Sequence, residues 1–387
     1  METLVSEHEV AKQNFITNDS ARVEDDGTGV EIEDAELSEP ITSPFDPSLI
    51  RVVTRPMTID LLISRMKEGE IDLTPGFQRK QGIWNDGAKS RLIESLLIRI
   101  PLPAFYFDAT DDEKWIIVDG LQRLTSLSRF VIQQKLKLSG LEFLTEYEGK
   151  KYNELPRSLQ RRINETQVTV YLIEKGTPPK VKFNLFRRIN TGGLPLSAME
   201  IRHALNQGKA TKLLEKLSQS QEFRSATSNS IRDDRMADRE CVLRFLAFTL
   251  TPYSDYKGDL DTFLNSTMEA LNDLPDSQVE KLKKRFLRAM KWAAEIFGKQ
   301  AFRRPSLEGR RSAINKSLFE VWSVNLDHLS DAELNRLVER KELLNQKFIE
   351  LVSNQEFDNS ISFATGFSNR VKTRFKEIEV IIQEVLQ

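Results

Sequence analysis

Hydrophobic periodicity divides the chain into three stretches. Residues 1–48 carry no apolar period and are rich in Asp, Glu, Ser and Thr, which predicts a disordered tail. Residues 49–210 alternate helical and strand patterns. Thr58 is placed to cap a helix running to about Lys67. Asn85 or Asp86 opens a second, with Leu92, Ile93, Leu96 and Leu97 on its buried stripe, until Ile100-Pro101 ends it. Ala104–Phe107, Trp115–Val118 and Gln167–Ile173 are dense in aromatic and β-branched residues and read as strands. Pro179 begins a helix through about Ile189, and Ser197-Ala198-Met199-Glu200 is a capping box that starts another. In residues 211–387 apolar residues recur three and four apart over Cys241–Thr249, Phe263–Leu274, Ser277–Phe297, Ile314–Val324, Asp331–Ser353 and Asn369–Leu386. The expected class is α+β: a small α/β domain followed by an all-α domain that packs back onto it.

Composition narrows the chemistry. The 387 residues are 39% hydrophobic and 29% charged, as in a soluble globular protein. No apolar run reaches the ~18 residues of a membrane span, and the acidic first ten residues do not read as a secretory signal. The cytosol is therefore the expected compartment. A single cysteine, Cys241, excludes an internal disulfide, and His8, His203 and His328 lie too far apart in sequence for a zinc site or a His-Asn-His nuclease. No G-x-x-x-x-G-K-[ST] loop occurs, and Ser126 and Ser128 lack a neighbouring histidine for a nucleophilic relay. Charge is unevenly spread. Residues 1–48 hold 13 Asp/Glu and two Lys/Arg, a balance of −11 within an overall −2, so the remainder carries +9. A basic body suits contact with phosphate or nucleic acid, and an acidic tail can mimic a polyanion that shields it.

The stretch K-W-I-I-V-D-G-L-Q-R-L-T-S-L at Lys114–Leu127 reads as a buried strand that breaks at Asp119-Gly120 and turns into an amphipathic helix. Such a corner gathers free backbone N–H groups, and phosphate is their usual guest. Gln122 and Arg123 can add side-chain donors, and Asp119 could hold a metal, a ribose or a water. The plain alternative is a strand–turn–helix corner with Arg123 salt-bridged to Asp119. Two further constellations put arginine beside amides or hydroxyls at the edge of an element. These are P-G-F-Q-R, ending in Gln78-Arg79, and F-R-R-I-N-T-G-G at Phe186–Gly193. Arginine's planar fork matches phosphate oxygens, while Asn190, Thr191, Gly192 and Gly193 can offer unobstructed backbone N–H groups. Three such edges in one small domain are expected to meet in one pocket.

As an ordered set, P-G-F-Q-R…W, L-I-E-S-L-L-I-R-I-P-L-P, V-D-G-L-Q-R-L-T-S-L and F-R-R-I-N-T-G-G-L-P-L-S-A-M-E-I-R resemble the GmrSD N-terminal domain family over about residues 55–205. The resemblance implies a ParB/sulfiredoxin-like fold over residues 49–210, a helical extension over 211–387, and a nucleotide-binding, often NTP-hydrolysing, activity in bacterial defence against foreign or modified DNA. In relatives an aspartate–glycine–glutamine–glutamine–arginine motif is tied to hydrolysis. Here it corresponds to Asp119, Gly120, Leu121, Gln122 and Arg123, with Leu121 in place of the first glutamine. The implied catalytic residues are Asp119, Gln122 and Arg123, with Asp119 also on Mg²⁺. Gln78, Arg79, Gly120, Arg187, Asn190, Thr191 and Gly192 would bind the NTP. The nuclease module often fused in relatives, built on a His-Asn-His motif, is not seen in this sequence, so either a separate partner protein supplies DNA cleavage or the protein acts without it. The other reading is a non-catalytic DNA- or protein-binding adaptor, for which the basic stretches Arg157–Arg162, Lys281–Lys291 and Arg303–Arg311 supply the charge, unless they are simply solvated helix faces.

Overall fold

The computed structural model describes residues 28–31, 50–72, 84–189, 196–233, 235–305 and 311–387. Five strands form one mixed sheet: β1 (Val52–Thr58), β2 (Ile71–Asp72), β3 (Phe105–Ala109), β4 (Trp115–Asp119) and β5 (Gln167–Glu174), in the order β1-β5-β3-β4-β2. β1 is antiparallel to β5, β5 parallel to β3, β3 antiparallel to β4, and β4 parallel to β2. Pro56 sits within β1 because β1 is an edge strand, where the missing N–H faces no neighbour.

Side-chain alternation gives the sheet two apolar faces. Phe105, Phe107, Trp115, Ile117, Val168, Val170 and Leu172 pack against helices Ile59–Lys67, Asp86–Leu97, Leu121–Leu127 and Arg157–Glu165. Val118 and Ile173 face the other way, onto Phe183 and Phe186 of helix Pro179–Ile189 and Ile201 of helix Ala198–Leu205. The anticipated caps form. Thr58 Oγ1 accepts from Leu61 N, Asn85 Oδ1 from Ala88 N at 2.8 Å, and Ser197 and Glu200 close their box reciprocally.

The remaining described residues are helical. Two helices are buried almost all round: Ala237–Leu250 and Lys316–His328, the latter with Ser317–Leu326 all inside. The pattern over Asp331–Ser353 is not one helix but two, Asp331–Glu339 and Lys341–Val352. They meet at Arg340, which leaves helical geometry without any Pro or Gly to announce it. The helical layer touches the sheet domain through ion pairs. Lys180 Nζ lies 3.2 Å from Asp259, Arg187 Nη1 lies 3.0 Å from Asp261, and Arg202 pairs with the same Asp261 carboxylate. Among the described residues, no helix is long and apolar enough to cross a membrane. Thr28–Glu31, within the stretch expected to be disordered, is instead seated in the helical layer, with Val30 fully buried.

Candidate functional site

Asp119 ends β4, Gly120 makes the turn, and helix Leu121–Leu127 begins at once. Gly120 has φ 108°, in the left-handed region, and a Cβ there would stand 2.4 Å from the Phe105 ring, so glycine is required on both counts. One helical turn on, Arg123 points back. Its Nη2 donates to Asp119 Oδ2 at 2.9 Å and to Ala104 O at 3.1 Å, its Nη1 donates to Pro103 O, and the guanidinium lies 4.5 Å over the Phe105 ring. The salt-bridged corner is therefore present. The Arg123 side chain is 9% exposed, and its fork is engaged by the segment that leads into β3. Asp119 is the more open member, with 29% of its side chain exposed. Burial raises its carboxyl above the usual range, against the downward pull of Arg123 and of the Gly120 N–H. Gln122 is half-buried, and its side chain has no hydrogen-bond partner among the described residues. Leu121 packs against the apolar core of the sheet's first face.

Strand register adds residues that sequence reasoning missed. Asp119 pairs with Tyr106 across β4 and β3, and Tyr106 pairs with Tyr171 across β3 and β5. The two tyrosine rings stack at 4.7 Å. Burial, then Tyr171 and Asp119, push the Tyr106 phenol above its ordinary value. A register shift between Tyr106 and Phe107 sets this alignment; such a bulge re-aims side chains and leaves no mark in the periodicity. A second missed cluster lies further along β3. Asp108 is buried and takes Lys182 Nζ at 3.0 Å, and Thr110 bonds both. It fastens helix Pro179–Ile189 to the sheet.

The three predicted constellations fare differently. Asp119, Gly120, Gln122 and Arg123 are contiguous at the end of the sheet. Arg187 turns to the helical layer and pairs with Asp261. Gln78, Arg79, Asn190, Thr191 and Gly192 lie outside the described residues. No group of three or more His, Cys, Asp or Glu suited to a metal occurs among the described residues. Asp119 as the single carboxylate fits Mg²⁺ that arrives with nucleotide phosphates rather than a cation caged by protein. His203 is in the core, and burial with Arg239 nearby pushes it down to about 4. Of the basic stretch Arg303–Arg311, Arg303 is buried, and residues 306–310 lie outside the described residues.

These features define a mixed-sheet domain with a glycine-turned carboxylate–guanidinium corner at one end of the sheet, backed by helices. Residues 59–207 match the family model of the GmrSD restriction endonuclease, N-terminal domain. No curated protein and no solved structure matches the chain.

Proposed function

We propose that the sheet domain binds a nucleoside triphosphate at the Asp119–Arg123 corner, hydrolyses it, and couples that step to DNA sensing in restriction of foreign or modified DNA. The observation that carries the reading is the Asp119 carboxylate. It is partly open, lifted by burial, and held in place by a guanidinium with three further protein contacts. Arg123 is the positioning residue in this arrangement, because releasing Asp119 would leave its charge facing only carbonyls and a ring. Gln122, with its side-chain amide unspent, orients a phosphate oxygen or the attacking water. The stacked Tyr106 and Tyr171 rings offer an aromatic wall beside the carboxylate. Mg²⁺, when bound with the nucleotide, neutralises phosphate charge and lowers the pKa of bound water. The remaining site residues of the proposal are Gln78, Arg79, Asn190, Thr191 and Gly192, whereas Arg187 is held by Asp261. A separate nuclease or effector would carry any DNA cleavage. The DNA part of the proposal draws support from the family's description as a restriction endonuclease and from the excess of basic residues beyond residue 48.

A second reading, a nucleotide- or DNA-binding adaptor without turnover, is favoured by one observation: Leu121 is committed to the apolar core. Phosphate release from the four NTPs, with and without duplex DNA, separates the two. Calorimetry on Asp119→Asn tests the site. At least a tenfold loss of Mg²⁺-dependent nucleotide affinity, ~1.4 kcal/mol, is expected, and binding equal to wild type removes the assignment.

A further inference from the structure

Thr28–Glu31 fills a slot in the helical layer between Thr227–Arg232 on one side and Phe302–Arg304 with Arg311–Asn315 on the other. Val30 bridges Ile314 in parallel register, and the slot donates to the tetrapeptide along its length. Arg232 N donates to Thr28 O at 2.7 Å and Ile314 N to Gly29 O at 3.0 Å. Asn315 Nδ2 donates to Glu31 Oε2 at 2.5 Å, and Arg304 Nε sits 3.3 Å from Glu31 Oε1. Glu31 N returns one bond to Ile314 O. The seat is specific, because a Cβ on Gly29 would lie 1.9 Å from Ser230 O.

The slot is built for negative charge. Arg303, Arg304 and Arg311 gather around it, with Arg304 shared between Glu31 and Asp358. Arg311 Nη2 lies 3.3 Å from Thr227 O, the same carbonyl that Arg303 Nη2 approaches at 3.3 Å. The buried Arg303 Nε has no hydrogen-bond partner among the described residues. Burial and the neighbouring Arg311 push Arg303 down to about 10, the mark of cationic charge only partly balanced by Glu31. The anchor also sits amid the tail's acidic residues. Glu24, Asp25 and Asp26 precede it and Glu33, Asp34 and Glu36 follow it. At ~3.5 Å per residue these carboxylates stay within about 25 Å of the slot however the chain runs. A tether of that length gives an effective concentration on the order of millimolar.

We propose that Thr28–Glu31 anchors a polyanion-mimicking tail, and that the donor- and arginine-lined slot takes nucleic-acid phosphate when the anchor leaves. The proposal rests on the DNA part of the functional reading. The test uses the full chain and a short labelled DNA duplex of arbitrary sequence at ~50 mM salt. In Gly29→Val the anchor cannot seat, and hydrogen exchange at the Ile314 amide reports its release. A second variant keeps the anchor and neutralises Glu24, Asp25, Asp26, Glu33, Asp34 and Glu36 to Gln or Asn. Both are expected to bind the duplex about tenfold more tightly than wild type, with a steeper salt slope. In the second variant the Ile314 amide stays protected. A free peptide of residues 22–36 should reverse the gain in Gly29→Val. An exposed Ile314 amide with unchanged duplex affinity overturns the proposal, as does a slot that captures the peptide while duplex affinity stays at the wild-type level. Equal duplex binding by every form removes this proposal alone, whereas no duplex binding by any form removes the DNA reading with it.

Discussion

Two of the carboxylate–guanidinium groupings among the described residues behave in opposite ways. In the helical layer, Glu320 receives Arg374 Nε at 2.8 Å and Arg244 Nη1 at 3.3 Å, while Glu240 takes Arg244 at 2.8 Å and Lys316 at 3.2 Å. Arg374 and Glu320 are both 0% exposed, and Arg374 also caps the carbonyls of Ser360 and Thr365. Burial alone would raise Glu240, yet Lys316, Arg244 and Arg202 hold it well below the usual carboxylate range. At the sheet end the balance is reversed. Asp119 has one cationic partner among the described residues, remains partly open, and is lifted rather than lowered. The closed network uses every charge internally and has no capacity for a ligand. The open corner leaves a carboxylate partly exposed beside the Gln122 amide.

That contrast makes Glu320→Ala the most damaging change expected. It leaves Arg374 in the core without a carboxylate, takes one of two carboxylates from Arg244, and should cost about 3–5 kcal/mol in urea unfolding. Asp119→Asn should cost under ~1 kcal/mol, since the pair is partly screened by water. Equal losses in the two variants would break the comparison. A second effect comes from His203. The fold keeps it neutral down to about 4, against an ordinary value of 6.5. Between these values the unfolded chain binds more protons, so stability falls as pH drops through the window, by up to about 3 kcal/mol. His203→Gln should flatten that slope; an unchanged slope assigns it to other groups. The smallest effect sharpens the corner itself. Because Asp119 titrates above the ordinary carboxylate range, Mg²⁺-dependent nucleotide binding should weaken on acidification with a midpoint above that range. The same midpoint in Asp119→Asn would show that another group sets it.

What could be read in the sequence was what is local. Thr58, Asn85, Pro179 and Ser197 start their helices through contacts made within three residues, so spacing alone reveals them. The Asp119–Arg123 pair is also local, four residues apart across a helix start. β1 was not legible, because Arg55 and Pro56 interrupt its alternation and only pairing with β5 makes it a strand. The stacked tyrosines depend on a bulge between distant strands, and Lys182–Asp108 joins residues 74 apart. Arg303 sits in a basic run that reads as surface, yet its burial follows from the Thr227–Ser230 turn folding over it.

The single carboxylate of Asp261 sets a limit on modularity. Arg187 and Arg202, both inside the segment matched to the family, close on an aspartate that lies beyond residue 207, and Arg202 also rests 5.2 Å over Phe183. A fragment trimmed to the matched segment would keep both cations and lose their counter-charge. Chimeras that exchange the helical layer between relatives would need to carry an acidic residue at this position with it. The working unit for expression and for grafting thus ends later than the boundary of sequence similarity.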